Sequence, residues 1–240
     1  MIKQVVRRMI RALGFDLHHF NPSSDSSHEI YQLLRSEIRP VIFDVGAHHG
    51  ETASAFSNLF PSADLYCFEQ FEESFFELKK NSSNYPTATL EQIGLSDNSG
   101  RHEFHSNANS ATNSLLQLEN RAADIWANRS LVPITKVACN FLTLDKYLEE
   151  KNIKQIDLLK IDVQGAELKV LKGAKSAFET NRIRNVYMEI LIGDTYYCQE
   201  KFSDTLNVLD SLGFRLHGLF NLFHGADRRL LVLDALFTKK

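Results

Sequence analysis

Short apolar runs alternate with amphipathic stretches along most of this chain, at the spacing of strands joined by helices. Val41-Ile42-Phe43-Asp44-Val45 is apolar apart from one acid and bounded by Pro40 and Gly46, which predicts a short buried strand. Glu51 to Leu59 has helical periodicity and predicts the helix that follows it. Ala63 to Gln70 predicts a second strand, Phe71 to Asn81 a helix, and Thr89 to Asp97 a third strand. Thr143 is placed as the N-cap of a helix starting Leu144-Asp145, after a strand over Val137 to Phe141. Ile156 to Asp162 predicts a buried strand that turns at Gly165 into a helix through Glu167, Val170, Leu171 and Ala174. Asn185 to Ile190 predicts the fifth strand of the sheet, Phe202 to Leu212 a helix stopped by Gly213, and Phe214 to Phe220 and Leu230 to Phe237 the last strands. This alternation is that of an α/β fold with a mostly parallel sheet.

Two regions break the pattern. Ile2, Val5, Val6, Met9, Ile10 and Leu13 lie at helical spacing with Lys3, Arg7, Arg8 and Arg11 between them, so residues 1–13 predict a basic amphipathic helix that either touches an anionic membrane surface or covers an apolar patch of its own domain. Gly14 would end it, Asn21 to Ser27 is a polar link, and His28 to Ile38 predicts a short helix. Residues 1–38 therefore read as a helical extension and 39–240 as the main domain. Between Asn98 and Thr143 the periodicity weakens: Arg101 to His105 suits a small added strand, and Asn107 to Arg129 suits either an acceptor-binding lid or a surface loop.

Composition narrows the function without naming it. With 240 residues, 43% of them hydrophobic, the chain can bury one domain core. A net charge of -3 offers no global attraction to nucleic acid, and no nucleic-acid partner is expected. Three scattered cysteines, Cys67, Cys139 and Cys198, suit reduced thiols. No run approaches the roughly 20 apolar residues of a membrane span, and no signal-peptide core is present, which predicts a cytoplasmic location.

The candidate chemistry starts at the first strand. Asp44-Val45-Gly46-Ala47-His48-His49-Gly50 is a strand-to-helix loop with the spacing D-x-G-x-x-x-G, which matches neither the dinucleotide G-x-G-x-x-G nor a phosphate loop. It suits S-adenosylmethionine, whose amino-acid end carries no phosphate: the glycines would let the backbone approach the ligand and Asp44 would orient its polar groups. Glu69, ending the second strand, stands where both ribose hydroxyls would be accepted, and Ser96 and Asp97, ending the third, where adenine would lie. Asp162 ends the strand after Lys160, and Glu189 repeats the pattern one strand later. A Lys160–Asp162 ion pair supporting the turn is the competing explanation for Asp162.

These residues resemble the FkbM family of S-adenosylmethionine-dependent methyltransferases. The resemblance rests on Asp44-Val-Gly-Ala-x-x-Gly50, Phe68-Glu69, Leu95-Ser96-Asp97 with Gly100, Thr143-Leu144-Asp145, Leu159-Lys160-Ile161-Asp162-Val163-Gln164-Gly165-Ala166-Glu167 and Leu171-Lys172-Gly173-Ala174, and spans roughly Val41 to Phe214. It implies a class I methyltransferase fold, Rossmann-like, with a seven-stranded mostly parallel sheet, an antiparallel last strand and helices on both faces. It also implies methyl transfer, usually to a hydroxyl, here on a sugar, glycan or other small-molecule acceptor. The cofactor would meet Asp44, Gly46, Ala47, His48, Gly50, Glu69, Gln70, Ser96 and Asp97. Asp162, shared with Glu189, would serve as general base, or the two would ligate Mg²⁺. His48 and Gln70 depart from the family's usual Asn and Pro. A nicotinamide-dependent oxidoreductase and a cofactor-binding scaffold without catalysis are the alternatives; the first is disfavoured by the missing early glycine.

Overall fold

Why each segment adopts its element is clearest at the helix caps. The computed structural model describes residues 25–127 and 131–239; the basic helix expected over residues 1–13, with its membrane contact, and Gly14 lie outside them. Helix α1 (Ser26–Leu34) starts earlier than expected because the Asp25 side chain accepts a hydrogen bond from the Ser27 backbone N–H at 2.9 Å, so the polar link ends before Ser26 and the helix stops short of Ile38. Strand β1 (Val41–Val45) leads into α2 (Glu51–Leu59), then β2 (Asp64–Phe68), α3 (Glu72–Lys80) and β3 (Thr89–Glu91).

The expected third strand over Thr89 to Asp97 is in fact two. Its first part pairs with β2, while β4 (Gly94–Leu95) pairs with a different strand in a separate sheet. Gly94 makes the switch possible, because a Cβ there would fall into the Phe141 ring. The separate sheet has the order β4-β6-β5, where β5 (Gly100–Asn107) and β6 (Pro133–Leu142) are antiparallel and both longer than the sequence pattern suggests. The insertion between them carries α4 (Ala122–Ile125).

Helix α5 (Leu144–Glu150) is capped by Thr143 as expected, its side chain accepting from the Lys146 N–H. Beyond β7 (Leu158–Ile161), the single helix expected through Ala174 breaks into α6 (Glu167–Lys172) and α7 (Lys175–Glu179). The cause lies 31 residues upstream of Ser176: the Asp145 carboxylate accepts hydrogen bonds from the Ser176 and Ala177 N–H groups, both at 2.8 Å, and so starts a new helix there. Strand β8 (Asn185–Leu191), α8 (Phe202–Ser211), β9 (Phe214–His224) and β10 (Leu230–Lys239) complete the chain.

The main sheet has seven strands in the order β3-β2-β1-β7-β8-β10-β9, and only β10 runs against its neighbours. Its two faces bury separate apolar clusters. Phe43, Val45, Leu159, Ile161 and Met188 pack under α6, α7 and α8, while Ile42, Leu65, Leu158 and Leu236 pack under α1, α2 and α3 with Ile30, Leu34, Phe56 and Leu78. No helix among the described residues is long and apolar enough to cross a membrane. Gly173 sits where α6 meets the small sheet, and an added methyl would fall onto the Ser96 carbonyl oxygen. Gly173→Ala is therefore expected to lower stability by about 1–3 kcal/mol, read as an earlier denaturant midpoint; an unchanged midpoint would show that this junction is loose.

Candidate active site

The loop after β1 is shaped from within the protein. Gly46 and Gly50 take φ angles of +79° and +94°, the left-handed region that glycine enters at no steric cost. A Cβ on Gly46 would strike the Asp162 carbonyl oxygen and one on Gly50 the Tyr85 ring. The protein's own packing thus requires both glycines, whatever approaches the loop from the cavity side. Gly50 packs on Tyr85 and does not line the cavity. His48, between them, also has a positive φ of 47°, a region in which Asn and His are the least penalised of ordinary side chains. Its ring stacks on His49 with centroids 3.6 Å apart, and its Nε2 lies 2.9 Å from Ser110 Oγ. Burial, and then the neighbouring His49, hold the His48 imidazole below its usual range. His48, His49 and Glu51 bring possible ligand atoms within 4.8 Å of one another, with the two Nδ1 atoms 3.8 and 4.0 Å from the Glu51 carboxylate oxygens.

Asp44 does not face the cavity. It is fully buried, stands directly opposite Lys160 in the parallel β1–β7 register, and lies 2.9 Å from the Lys160 ammonium. Lys160 Nζ also donates to the Gly46 carbonyl at 3.2 Å and lies 3.5 Å from Asp162 Oδ2. Burial pushes the Asp44 carboxyl up, against the pull of Lys160; for Lys160, burial is outweighed by the carboxylates of Asp44 and Asp162, which hold the ammonium above the usual lysine range. The Lys160–Asp162 pair considered from sequence exists, but the shorter contact is to Asp44. Seeing it needs the strand register, which spacing does not supply.

A cavity of about 270 Å³ opens at the C-terminal edge of β1, β2, β7 and β8. Of the expected cofactor residues, Gly46, Ala47, His48, Glu69 and Gln70 line it. Ser96 and Asp97 do not, because they follow β4 into the small sheet. Glu69 accepts hydrogen bonds from the His48 N–H at 3.0 Å and the Phe71 N–H at 2.8 Å, and burial pushes its carboxyl up to about 7. Each oxygen still has a lone pair to offer, since a carboxylate can accept about four hydrogen bonds.

Across the cavity the structure joins Asp162 and Glu189 through a residue whose role the sequence reading passed over. Gln164, at a φ of 56°, donates its side-chain amide to Asp162 Oδ1 at 2.9 Å and to Glu189 Oε2 at 2.6 Å. Burial, and then the Asp162 charge, place the Glu189 carboxyl well above the usual carboxylate range. Behind them Glu167 accepts from the Val163 and Gly165 N–H groups and fixes the turn. The irregular insertion closes one side: Ser110, Ala111 and Asn113 line the cavity, and Ser114 Oγ donates to the Gln164 carbonyl at 2.7 Å.

The fold is shared with precorrin-6y C5,15-methyltransferase from Geobacter metallireducens, at a TM-score of 0.50 and 11% identity over 89% of this chain and 87% of that one. A class I methyltransferase fold is thereby established, with a buried acid at the end of β2 facing its cavity. Residues 44–216 match the methyltransferase FkbM domain, and the chain belongs to that family of S-adenosylmethionine-dependent methyltransferases. It is 30% identical over 179 residues to the 2-O-methyltransferase NoeI of Sinorhizobium fredii, covering 72% of each chain, and 30% identical over 177 residues to the 31-O-demethyl-FK506 methyltransferase FkbM of Streptomyces tacrolimicus, covering 64% of this chain and 67% of that one.

The Asp44–Lys160 pair generates a stability test. Lys160→Met should cost about 3–5 kcal/mol by leaving a buried carboxylate unpaired, whereas the double variant Asp44→Leu/Lys160→Met should recover most of it. Equal loss in the single and double variants, read from denaturant unfolding, would show that the two charges do not act as a pair.

Proposed function

We propose that this methyltransferase acts on a hydroxyl of a sugar, glycan or other small polyhydroxylated acceptor. One observation carries the reading: Glu69 and the Asp162–Gln164–Glu189 cluster face the same cavity from opposite sides. Glu69, already fixed by two backbone N–H groups, has capacity left for a pair of ribose hydroxyls. A second cavity of about 280 Å³ meets the first at Gln70 and is lined by Phe71, Gln92 and Cys139 among others. This cavity is our assignment for the purine, in place of Ser96 and Asp97, which do not line the first cavity. Of the relatives named above, one is by name a 2-O-methyltransferase and another a methyltransferase of 31-O-demethyl-FK506, which supports a hydroxyl acceptor.

S-adenosylmethionine, when bound, supplies a methyl already activated on a sulfonium, so that transfer forms an O–CH3 bond, breaks an S–CH3 bond and leaves one proton to be taken from the acceptor hydroxyl. Asp162 and Glu189 are the groups placed to take it. Burial raises the proton affinity of Glu189 above that of an ordinary carboxylate, and Gln164 holds both carboxylates in fixed orientation. The Gln164 amide also fills the space between the two acids where a divalent ion would sit, so these residues do not fit Mg²⁺ and the proposed transfer needs none. Chelation by EDTA should leave turnover unchanged.

Two measurements test this function. Because the Glu69 carboxyl sits at about 7, it loses its proton between pH 6 and 8, and S-adenosylmethionine affinity should rise over that interval as both ribose hydroxyls gain an ionised acceptor. Glu69→Gln should flatten the dependence and weaken binding roughly ten- to hundredfold at pH 8; a slope that survives the substitution points to another group. Asp162→Asn should lower turnover by about a hundredfold or more with little change in cofactor affinity. Wild-type turnover in that variant would leave Asp162 a structural acid.

A further inference from the structure

On the α1 and α2 face of the sheet a further cavity of about 370 Å³, within the size range of small-molecule sites, shares Glu51, Thr52, Lys160, Asp162 and Glu189 with the first. Its far wall holds Asp234 of β10, which stands directly opposite Glu189 in the antiparallel β8–β10 register. Two acids at facing positions repel and weaken a sheet, and burial raises both carboxyls above their usual range, Glu189 further. Lys160 relieves them only in part, because its direct contacts are to Asp44 at 2.9 Å and Asp162 at 3.5 Å, and no lysine or arginine among the described residues forms an ion pair with Glu189 or Asp234.

Among the described residues, the hydrogen-bond partners of Asp234 orient it without carrying a charge. Its Oδ2 accepts from the Tyr187 hydroxyl and from Asn221 Nδ2, both at 2.6 Å, and both donors are uncharged. Oδ1 receives no hydrogen bond from the described residues. A carboxylate held by one oxygen, with the other free beside a second acid and a cavity, is arranged to receive a cation.

We infer that this cavity holds the methyl acceptor and that Asp234, facing Glu189, binds an ammonium group on it, so that the acceptor is an amino-bearing polyol such as an amino sugar. The inference rests on reading Asp162 and Glu189 as the reacting edge of the acceptor site. An ammonium would donate to Oδ1 in a charge-assisted hydrogen bond and offset the repulsion across the ladder. A carboxylated or phosphorylated acceptor would instead meet four carboxylates, those of Glu51, Asp162, Glu189 and Asp234.

Equilibrium binding of glucosamine, N-acetylglucosamine, glucose and glucuronic acid to the full chain, with and without S-adenosylmethionine, tests this. Glucosamine should bind about tenfold or more tighter than glucose, which has a neutral hydroxyl in place of the ammonium, and than its N-acetyl form, which lacks the charge and carries an added acetyl group. Asp234→Asn should erase that difference, and Tyr187→Phe, which removes one of the donors that orient Asp234, should reduce it. Cofactor affinity should be unchanged in Asp234→Asn. Equal affinity for glucosamine and glucose, preference for the acid, no binding of any of the four sugars, or displacement of glucosamine by millimolar Mg²⁺ would overturn the inference. Should glucosamine bind as expected while S-adenosylmethionine does not, the cofactor assignment fails and the ammonium site stands.

Discussion

The site depends on one buried ammonium. Lys160 reaches Asp44 on the adjacent strand, the Gly46 carbonyl in the loop and Asp162 at the end of its own strand, and so ties three backbone segments to one charge. A buried pair of this kind adds little net stability, because the cost of removing both charges from water roughly cancels their attraction. Its effect is positional. With the pair in place, the β1 loop and the β7 turn hold a fixed separation, and the Gly46 position, which has no room for a Cβ, keeps the two backbones in contact.

The alternation of side chains along a strand explains why the polar groups gather where they do. Asp44, Lys160, Glu189 and Asp234 share one face of the sheet, while Phe43, Val45, Leu159, Ile161 and Met188 fill the other with apolar packing. A one-residue slip in any of these strands would send an acid into the apolar side and open the site, so burial and chemistry impose the same register. Buried carboxyls whose proton affinity is raised are therefore a direct outcome of the topology.

Much of this was legible in the residues. Strand β1 and helix α2 begin and end where the apolar pattern and the glycines place them, and Thr143 caps its helix. Glu69 and Asp162 reach the cavity because each follows a parallel strand, and Glu189 because it lies near the C-terminal end of another, and such ends share one edge of the sheet. What failed was non-local. The break between α6 and α7 comes from Asp145, far upstream; the division of the third strand comes from Phe141 passing over Gly94; the burial of Asp44 follows from its register with Lys160. Gln164 belongs to the run that carries the family resemblance, but its role gives no local signal, since a glutamine before a glycine reads as an ordinary turn until the two carboxylates that it bridges are seen together.

The antiparallel course of β10 reaches further than sheet geometry. Because that strand runs backwards, its early residues arrive at the edge where every parallel strand finishes, and Asp234 meets Glu189 there although it lies beyond residue 216, where the match to the family ends. Asn221, on β9, lies beyond that point too. The hairpin therefore has two separable parts: Leu233, Ala235, Leu236 and Phe237 hold it in the cores, while position 234 sets the charge shown to the far cavity.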